Sequence, residues 1–276
     1  MVSIRKELAE YGLIPQKGWG QHFLIDQNIL TKVIQTAQVE KKDVVLEVGP
    51  GLGEMTIALA RQAKQVIAIE IDPKLVELLK KKLVDFPNID VVKGDILALD
   101  FKKSFSQLHQ RVKVVANLPY QISTPLLFHF IDSRKVFSTL TLMLQREVAE
   151  RIVATPGSKA YGPLSIFMQL FLDLSIRFFI KPSAFFPPPK VESAVVHLVW
   201  REKPMVELGD ERWFKKVVKG CFSYRRKTLI NGLKHSGLSL PYDIEQRMEK
   251  IGIDPRRRPE TLSIQEFARL ANSLRY

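Results

Sequence analysis

Short apolar runs alternate with helical repeats over the first two thirds of the chain. Residues 44–48, 65–69, 89–92, 112–116 and 140–144 are runs of four or five mostly β-branched or aliphatic residues and predict buried strands. Between them the apolar period lengthens. Ile29, Leu30, Val33, Ile34 and Ala37 share one face of a helix over 27–38 with Asp26 as its N-cap, and Pro73 opens a helix that runs to about 84. Further helices are predicted over 54–63, 125–132, 145–154 and 164–173. Strands over 175–180 and 193–200 are joined by a proline-rich loop without a helix, so they should pair antiparallel at one edge. Strand–helix alternation of this kind argues for an α/β fold with a mainly parallel sheet and helices on both faces. The first 20 residues read as a basic, partly helical lead-in, broken by Gly18 and Gly20.

After Trp200 the texture changes. Glu202-Lys-Pro204 and the stretch 207–210 form a polar break, and the remainder is helical only, near 212–221, 225–235, 243–250 and 263–274. Residues 1–202 are therefore expected to form one domain and 203–276 a small all-helical second one.

Composition refines this picture. Of 276 residues, 46% are hydrophobic, enough for a sizeable core and too many for a disordered chain. The formal net charge is +13, and residues 201–276 carry 17 Lys+Arg against 10 Asp+Glu, so over half of the excess lies in the tail. An anionic partner is expected, nucleic acid before a membrane surface. No run approaches the roughly 20 apolar residues of a membrane span, and the first residues lack an apolar signal core. Cys221 is the single cysteine, which excludes an intrachain disulfide framework and a cysteine metal cluster. His109, His129, His197 and His235 have no ligand spacing, and no metal is expected. A reduced, cytoplasmic setting is the simplest expectation.

The chemistry gathers at the carboxyl ends of the predicted strands, where ligands bind in open α/β sheets. Glu47-Val-Gly49-Pro-Gly51-Leu-Gly53 lies between a strand and a helix, and its glycines permit a tight turn and close approach of a ligand. Its spacing differs from the Gly-x-Gly-x-x-Gly of dinucleotide sites, and Glu47 suits a ligand with positive charge. Glu70 ends the second strand and can accept from ribose hydroxyls; Asp95, ending the third, can accept from an adenine amino group. Together these describe a nucleoside with a cationic appendage, S-adenosylmethionine, although NAD stays open on the first two motifs alone. The fourth strand ends in Asn117-Leu118-Pro119-Tyr120, either a site that holds an amine or a tight turn with Asn capping and Tyr packing.

These segments resemble the class I methyltransferases that modify adenine N6. Gly20-Gln-His-Phe-Leu24 and Phe185-Phe-Pro-Pro-Pro-Lys-Val191 narrow the resemblance to the rRNA adenine dimethyltransferases. Phe222-Ser-Tyr-Arg-Arg-Lys-Thr-Leu229 and Arg258-Pro-Glu-Thr-Leu-Ser-Ile-Gln-Glu-Phe267 are similar to the bacterial small-subunit (16S) branch. The resemblance implies a Rossmann-like fold, a mostly parallel seven-stranded sheet with an antiparallel edge strand, plus the helical C-terminal domain. It implies dimethylation, from S-adenosylmethionine, of two adjacent adenines in a hairpin loop near the 3′ end of 16S rRNA, within a small ribosomal subunit or its precursor, by a monomer. Positions matching His22, Leu24, Gly49, Glu70, Asp95 and Asn117 contact the cofactor in that family; His22 stands where relatives often carry Asn.

On this reading Asn117 and the Leu118 carbonyl accept from the adenine amine, Pro119 shapes the backbone, Tyr120 stacks on the base and Phe185 covers its other face. Arg225, Arg226 and Lys227, with Arg256, Arg257 and Arg258, are the expected RNA contacts. The rivals are a large-subunit (23S) resistance methylase, which usually has Ile at the position of Leu118, and a non-catalytic RNA-binding assembly factor.

Overall fold

The computed structural model describes residues 4–224 and 227–275. In chain order its elements begin with α1 (Ile4–Glu10), β1 (Phe23–Leu24), α2 (Gln27–Ala37), β2 (Val44–Val48), α3 (Glu54–Ala60), β3 (Gln65–Glu70) and α4 (Pro73–Lys82). They continue with β4 (Ile89–Lys93), α5 (Phe101–Ser104), β5 (Val112–Asn117), α6 (Ser123–Asp132), β6 (Phe137–Gln145), α7 (Arg146–Ile152) and α8 (Pro163–Phe171). β7 (Leu172–Ile180), β8 (Phe185–Phe186), β9 (Ser193–Trp200), α9 (Glu211–Phe222), α10 (Leu229–Lys234), α11 (Ile244–Lys250) and α12 (Ile264–Ser273) complete the chain.

By packing, the chain divides into two compact units, residues 1–149 with 173–200, and 150–172 with 201–276. The first unit carries a seven-stranded sheet in the order β4-β3-β2-β5-β6-β9-β7. β4, β3, β2, β5 and β6 run parallel, and β9 is antiparallel to β6. β7 and β9 are neighbours at one edge, as their helix-free connection requires.

The local signals for these elements are the expected ones. Every residue of β2 is buried, as a central parallel strand should be. Asp26 caps α2 by accepting from the N–H groups of Asn28 and Ile29 at 2.9 and 3.1 Å, and Asp72 caps α4, which Pro73 opens. The apolar stripe of α2 and the inner side of α3 pack with Val45, Val66 and Val115 into one core cluster. α4 contributes Leu75, Leu78 and Leu79 to another, with Leu8, Phe23 and Leu52. Each such fully buried aliphatic side chain stabilises by about 1.5–3 kcal/mol relative to exposure.

The strand order places the first chemical motif at a switch point. β2 lies between β3 and β5, so the chain leaves its first large strand with one neighbour on each side reached by opposite crossovers. In the ladder Val48 stands opposite Ala116 and Ile69, which sets Gly49 beside Asn117. Glu70 pairs with Lys93, which brings Gly94 and Asp95 to the same edge.

A separate two-stranded sheet accompanies the main one without an apolar run to mark it. β1 and β8 pair antiparallel, Phe23 opposite Phe186 and Leu24 opposite Phe185. Two residues per strand are too few for an alternation to register in a sequence.

The second unit is helical. It includes 150–172, which the expected boundary at 202 assigned to the sheet domain. The reason lies in α8. Seven of its nine residues are buried, and its Phe167 ring meets Phe214 of α9 edge-on, with centroids 6.2 Å apart. Phe222 and Phe267 pack at 5.9 Å, joining α9 to α12. α12 starts with a capping box in which Ser263 and Glu266 satisfy each other's backbone N–H. No helix among the described residues is long and apolar enough to cross a membrane.

Candidate active site

One cavity of the first unit opens over the carboxyl ends of β2, β3 and β5, with residues from 4–24 forming another wall. It is lined by His22, Leu24, Glu47, Gly49, Gly51, Glu70, Asp95 and the whole of Asn117–Tyr120. Residues far apart in sequence and singled out for two different ligands thus share one space.

The glycine turn is shaped by close approach. Gly51 has a φ of +58°, and a Cβ there would lie 2.9 Å from the Phe23 ring. Gly53 also has positive φ, but it does not line the cavity. It begins α3, and a Cβ there would meet Leu79 of α4 at 2.9 Å, so close packing alone accounts for a glycine at this position. Of the three glycines expected against the cofactor, Gly49 and Gly51 line the cavity.

Glu47 is fully buried, and neither carboxyl oxygen has a hydrogen-bond partner within the protein. Burial pushes its pKa up to about 8; the nearby Thr56 hydroxyl opposes the rise and the Glu70 charge adds to it. An orphaned buried acid on a cavity wall is a standing demand for a cationic or hydrogen-bond-donating ligand.

Glu70 is better satisfied. One oxygen accepts from the N–H groups of Ile71 and Asp72 at 2.9 and 3.0 Å, and the other lies 3.4 Å from the Gly51 nitrogen. Burial raises its pKa, and these three backbone donors counter the rise. Asp95 is exposed and holds its own turn by accepting from Leu97 at 2.9 Å through Oδ1.

Asn117 donates from Nδ2 to the backbone carbonyl of His22 at 2.8 Å. A carbonyl only accepts, so the bond fixes which end of the amide is nitrogen. Leu118 is buried and its N–H is taken by Met143 at 3.2 Å, while the Pro119 carbonyl starts the next turn by accepting from Ile122 at 3.1 Å. The Tyr120 ring stands half-buried beside the His22 ring, centroids 5.6 Å apart and tilted by 30°. The tetrapeptide lines the cavity: Asn117 ends β5, and the turn itself spans 119–122, closed by the Ile122–Pro119 bond.

Phe185 departs from expectation. It is 2% exposed, lies in the core cluster with Leu30, Met55 and Ala184, and does not line the cavity. Pairing with β1 fixes the alternation of β8, and Phe185 falls on the core side. The segment reaches the site through other atoms, which composition and spacing did not reveal. The Pro187 carbonyl accepts from His22 Nδ1 at 2.6 Å, and Ser193 Oγ lies 2.7 Å from Tyr120 Oη. The signal for Ser193 in the sequence is a hydroxyl heading a strand that is apolar apart from His197.

The expected RNA contacts divide. Arg225 and Arg226 lie outside the described residues. Lys227 is exposed, with Nζ 5.3 Å above the Tyr224 ring. Arg256 and Arg258 are exposed. Arg257 is not free for a ligand: it pairs with Glu266 through both terminal nitrogens and bonds Thr261 through Nε at 3.2 Å and Nη2 at 2.8 Å. The bonds to Glu266 tie it to the first turn of α12.

The chain that carries this cavity is similar to known proteins over nearly its whole length. Residues 15–275 match the family described as ribosomal RNA adenine dimethylase. "Ribosomal RNA small subunit methyltransferase A" of Geobacter metallireducens is 45% identical over 265 residues, 95% of this chain and 96% of the relative. The protein of that name from Shouchella clausii is 44% identical over 273 residues, 97% and 92% of the two chains. Among solved structures, a dimethyladenosine transferase from Plasmodium falciparum is 30% identical with a TM-score of 0.76, covering 90% of this chain and 96% of that one. The 23S rRNA methyltransferase ErmE is 26% identical with a TM-score of 0.68, covering 91% and 99%. The chain belongs to the ribosomal RNA adenine dimethylase family.

Proposed function

We propose that the chain transfers methyl groups from S-adenosylmethionine to N6 of two adjacent adenines in a hairpin loop near the 3′ end of 16S rRNA, acting as a monomer on a small ribosomal subunit or its precursor. The relatives at 44–45% identity are named for the small subunit, and Leu118 fits that branch of the resemblance. The observation that carries the chemistry is the Asn117–His22 bond, which commits the amide nitrogen and leaves Oδ1 to accept.

The cavity suits the proposed donor on its own chemistry. Glu47 offers an unpartnered acid to a cationic amino-acid moiety, Glu70 an acceptor to ribose hydroxyls, and Asp95 an acceptor to an adenine amine. Gly51 leaves room where a side chain would collide with Phe23. S-adenosylmethionine supplies a methyl already activated on a sulfonium, so the work left to the chain is to present the nucleophile.

The exocyclic nitrogen of adenine is a poor nucleophile because its lone pair is delocalised into the ring. Acceptors at Asn117 Oδ1 and the Leu118 carbonyl draw on its N–H bonds and let the lone pair localise. Neither acceptor retains a proton, so the one lost with each methyl gained leaves to water. Tyr120 gives the base a face to stack on, and a base in a loop costs less to extrude than a paired one. Exposed Lys227, Arg256 and Arg258, with Arg225 and Arg226, supply phosphate contacts.

The second reading, a large-subunit methylase, is favoured by the likeness to ErmE. Mapping of modified adenines on both rRNAs after incubation with the purified protein separates them: modification in the small-subunit hairpin supports the proposal, and modification of 23S rRNA alone supports the rival.

A further inference from the structure

We infer that Ser193 is a positioning residue for the target base, holding Tyr120 where its ring can be stacked upon; this rests on the base-stacking role proposed for Tyr120.

Ser193 opens β9 opposite Gln145 of β6, and the next three residues, Ala194, Val195 and Val196, are all fully buried. At 1% exposure the serine sits where a small apolar residue would otherwise be expected. A buried hydroxyl without a partner is costly. This one has Tyr120 Oη at 2.7 Å, across 73 residues of chain. The contact joins a rigid sheet strand to a side chain on a cavity wall.

The geometry says what the bond controls. A tyrosine hydroxyl lies on the axis about which the ring turns, so an anchor there cannot set the ring's plane. It sets the direction of the axis, which is the χ1 choice. The tilt is left to the neighbour, the His22 ring at 5.6 Å and 30°. That ring is tied by Nδ1 to the Pro187 carbonyl. Residues 187–193 therefore hold both rings beside Asn117 by their polar atoms and leave their faces for a ligand. The proline-rich segment acts on the site through Pro187 and Ser193, not through the Phe185 ring.

The test uses Ser193→Ala, Tyr120→Phe, the double variant and Ser193→Thr, each with small subunits and saturating S-adenosylmethionine. Loss of the bond should lower kcat about tenfold in either single variant, the worth of one hydrogen bond, with KM for the subunit unchanged. The double variant should be no slower than the slower single one, and Ser193→Thr should keep native kcat. A hairpin RNA with 2-aminopurine at the target base gives a readout apart from turnover: its fluorescence is quenched by stacking in the native protein and in Ser193→Thr, and less so in Ser193→Ala.

Native kcat in Ser193→Ala overturns the inference, as do multiplicative losses in the double variant, a Ser193→Thr variant as slow as Ser193→Ala, or no quench in the native protein. A native protein that quenches in a Ser193-dependent way but methylates no rRNA keeps the inference and refutes the proposed function instead.

Discussion

Asn117 gives an amide hydrogen to the backbone carbonyl of His22 across 2.8 Å and 95 residues of chain. The side chain proposed to face a substrate amine is thereby oriented by a segment the sequence places before the first large strand. Asn117→Ala removes the acceptor and leaves the fold, so methyl transfer should fall by about 10²–10³ while RNA affinity stays within twofold. A single-turnover assay paired with filter binding checks both. Loss of RNA binding in parallel would assign Asn117 to docking instead.

Glu47 makes stability depend on pH. Its carboxyl titrates near 4.5 in the unfolded chain and about 8 in the fold. Below 4.5 both states hold the proton. Between 4.5 and 8 only the folded state keeps it, so stability falls as pH rises through this window and levels off above it. Glu47→Gln abolishes the slope and should be more stable at pH 8, by on the order of 4 kcal/mol at most, with little gain at pH 4.5. Thermal melts of both proteins at the two pH values measure this. Between pH 6 and about 7.5, where the ligand's ammonium group is still largely charged, the native protein should gain affinity for S-adenosylmethionine relative to the Gln variant, since a cationic ligand favours the ionised acid; calorimetry of both proteins measures the difference.

Gly51→Ala puts a methyl 2.9 Å from the Phe23 ring at a φ of +58°. The strain should cost about 1–3 kcal/mol and weaken cofactor binding as well, because Phe23 and the turn share the cavity wall. Gly53→Ala should destabilise through Leu79 and disturb cofactor affinity much less. Equal loss of affinity in both variants would contradict the distinction between the two glycines.

The basic tail separates in the same way. Arg256→Ala and Arg258→Ala should each lower the salt dependence of RNA binding by about one unit of slope without a change in melting temperature. Arg257→Ala should do the reverse, since it strips the bonds to Glu266 and Thr261 that support the start of α12, at a cost of about 1–3 kcal/mol.

Much of this was legible in the residues. The sheet announces itself through apolar runs, the ligand edge through Glu47, Glu70 and Asp95 on successive strand ends, and two helix starts through Asp26 and Pro73. What the residues did not disclose are pairings without a local period. β1 and β8 are too short to show alternation, so Phe185 reads equally well as a site aromatic or a core one, and burial decides for the core. Arg257 is indistinguishable from its neighbours until Glu266, nine residues on, is brought beside it by a turn. α8 is apolar enough for either unit, and contacts such as Phe167–Phe214 and the bond from the Met205 N–H to the Leu170 carbonyl say which.

The cavity is proposed to join a methyl donor to an adenine of small-subunit rRNA. The most direct test is incubation of the protein with unmethylated small subunits and labelled S-adenosylmethionine at low salt, followed by nucleoside analysis. The expected product is labelled N6,N6-dimethyladenosine from two adjacent adenines of the 3′-terminal hairpin, absent from the Asn117→Ala reaction. No dimethyladenosine in the native reaction, or label confined to another nucleoside, would contradict the proposal.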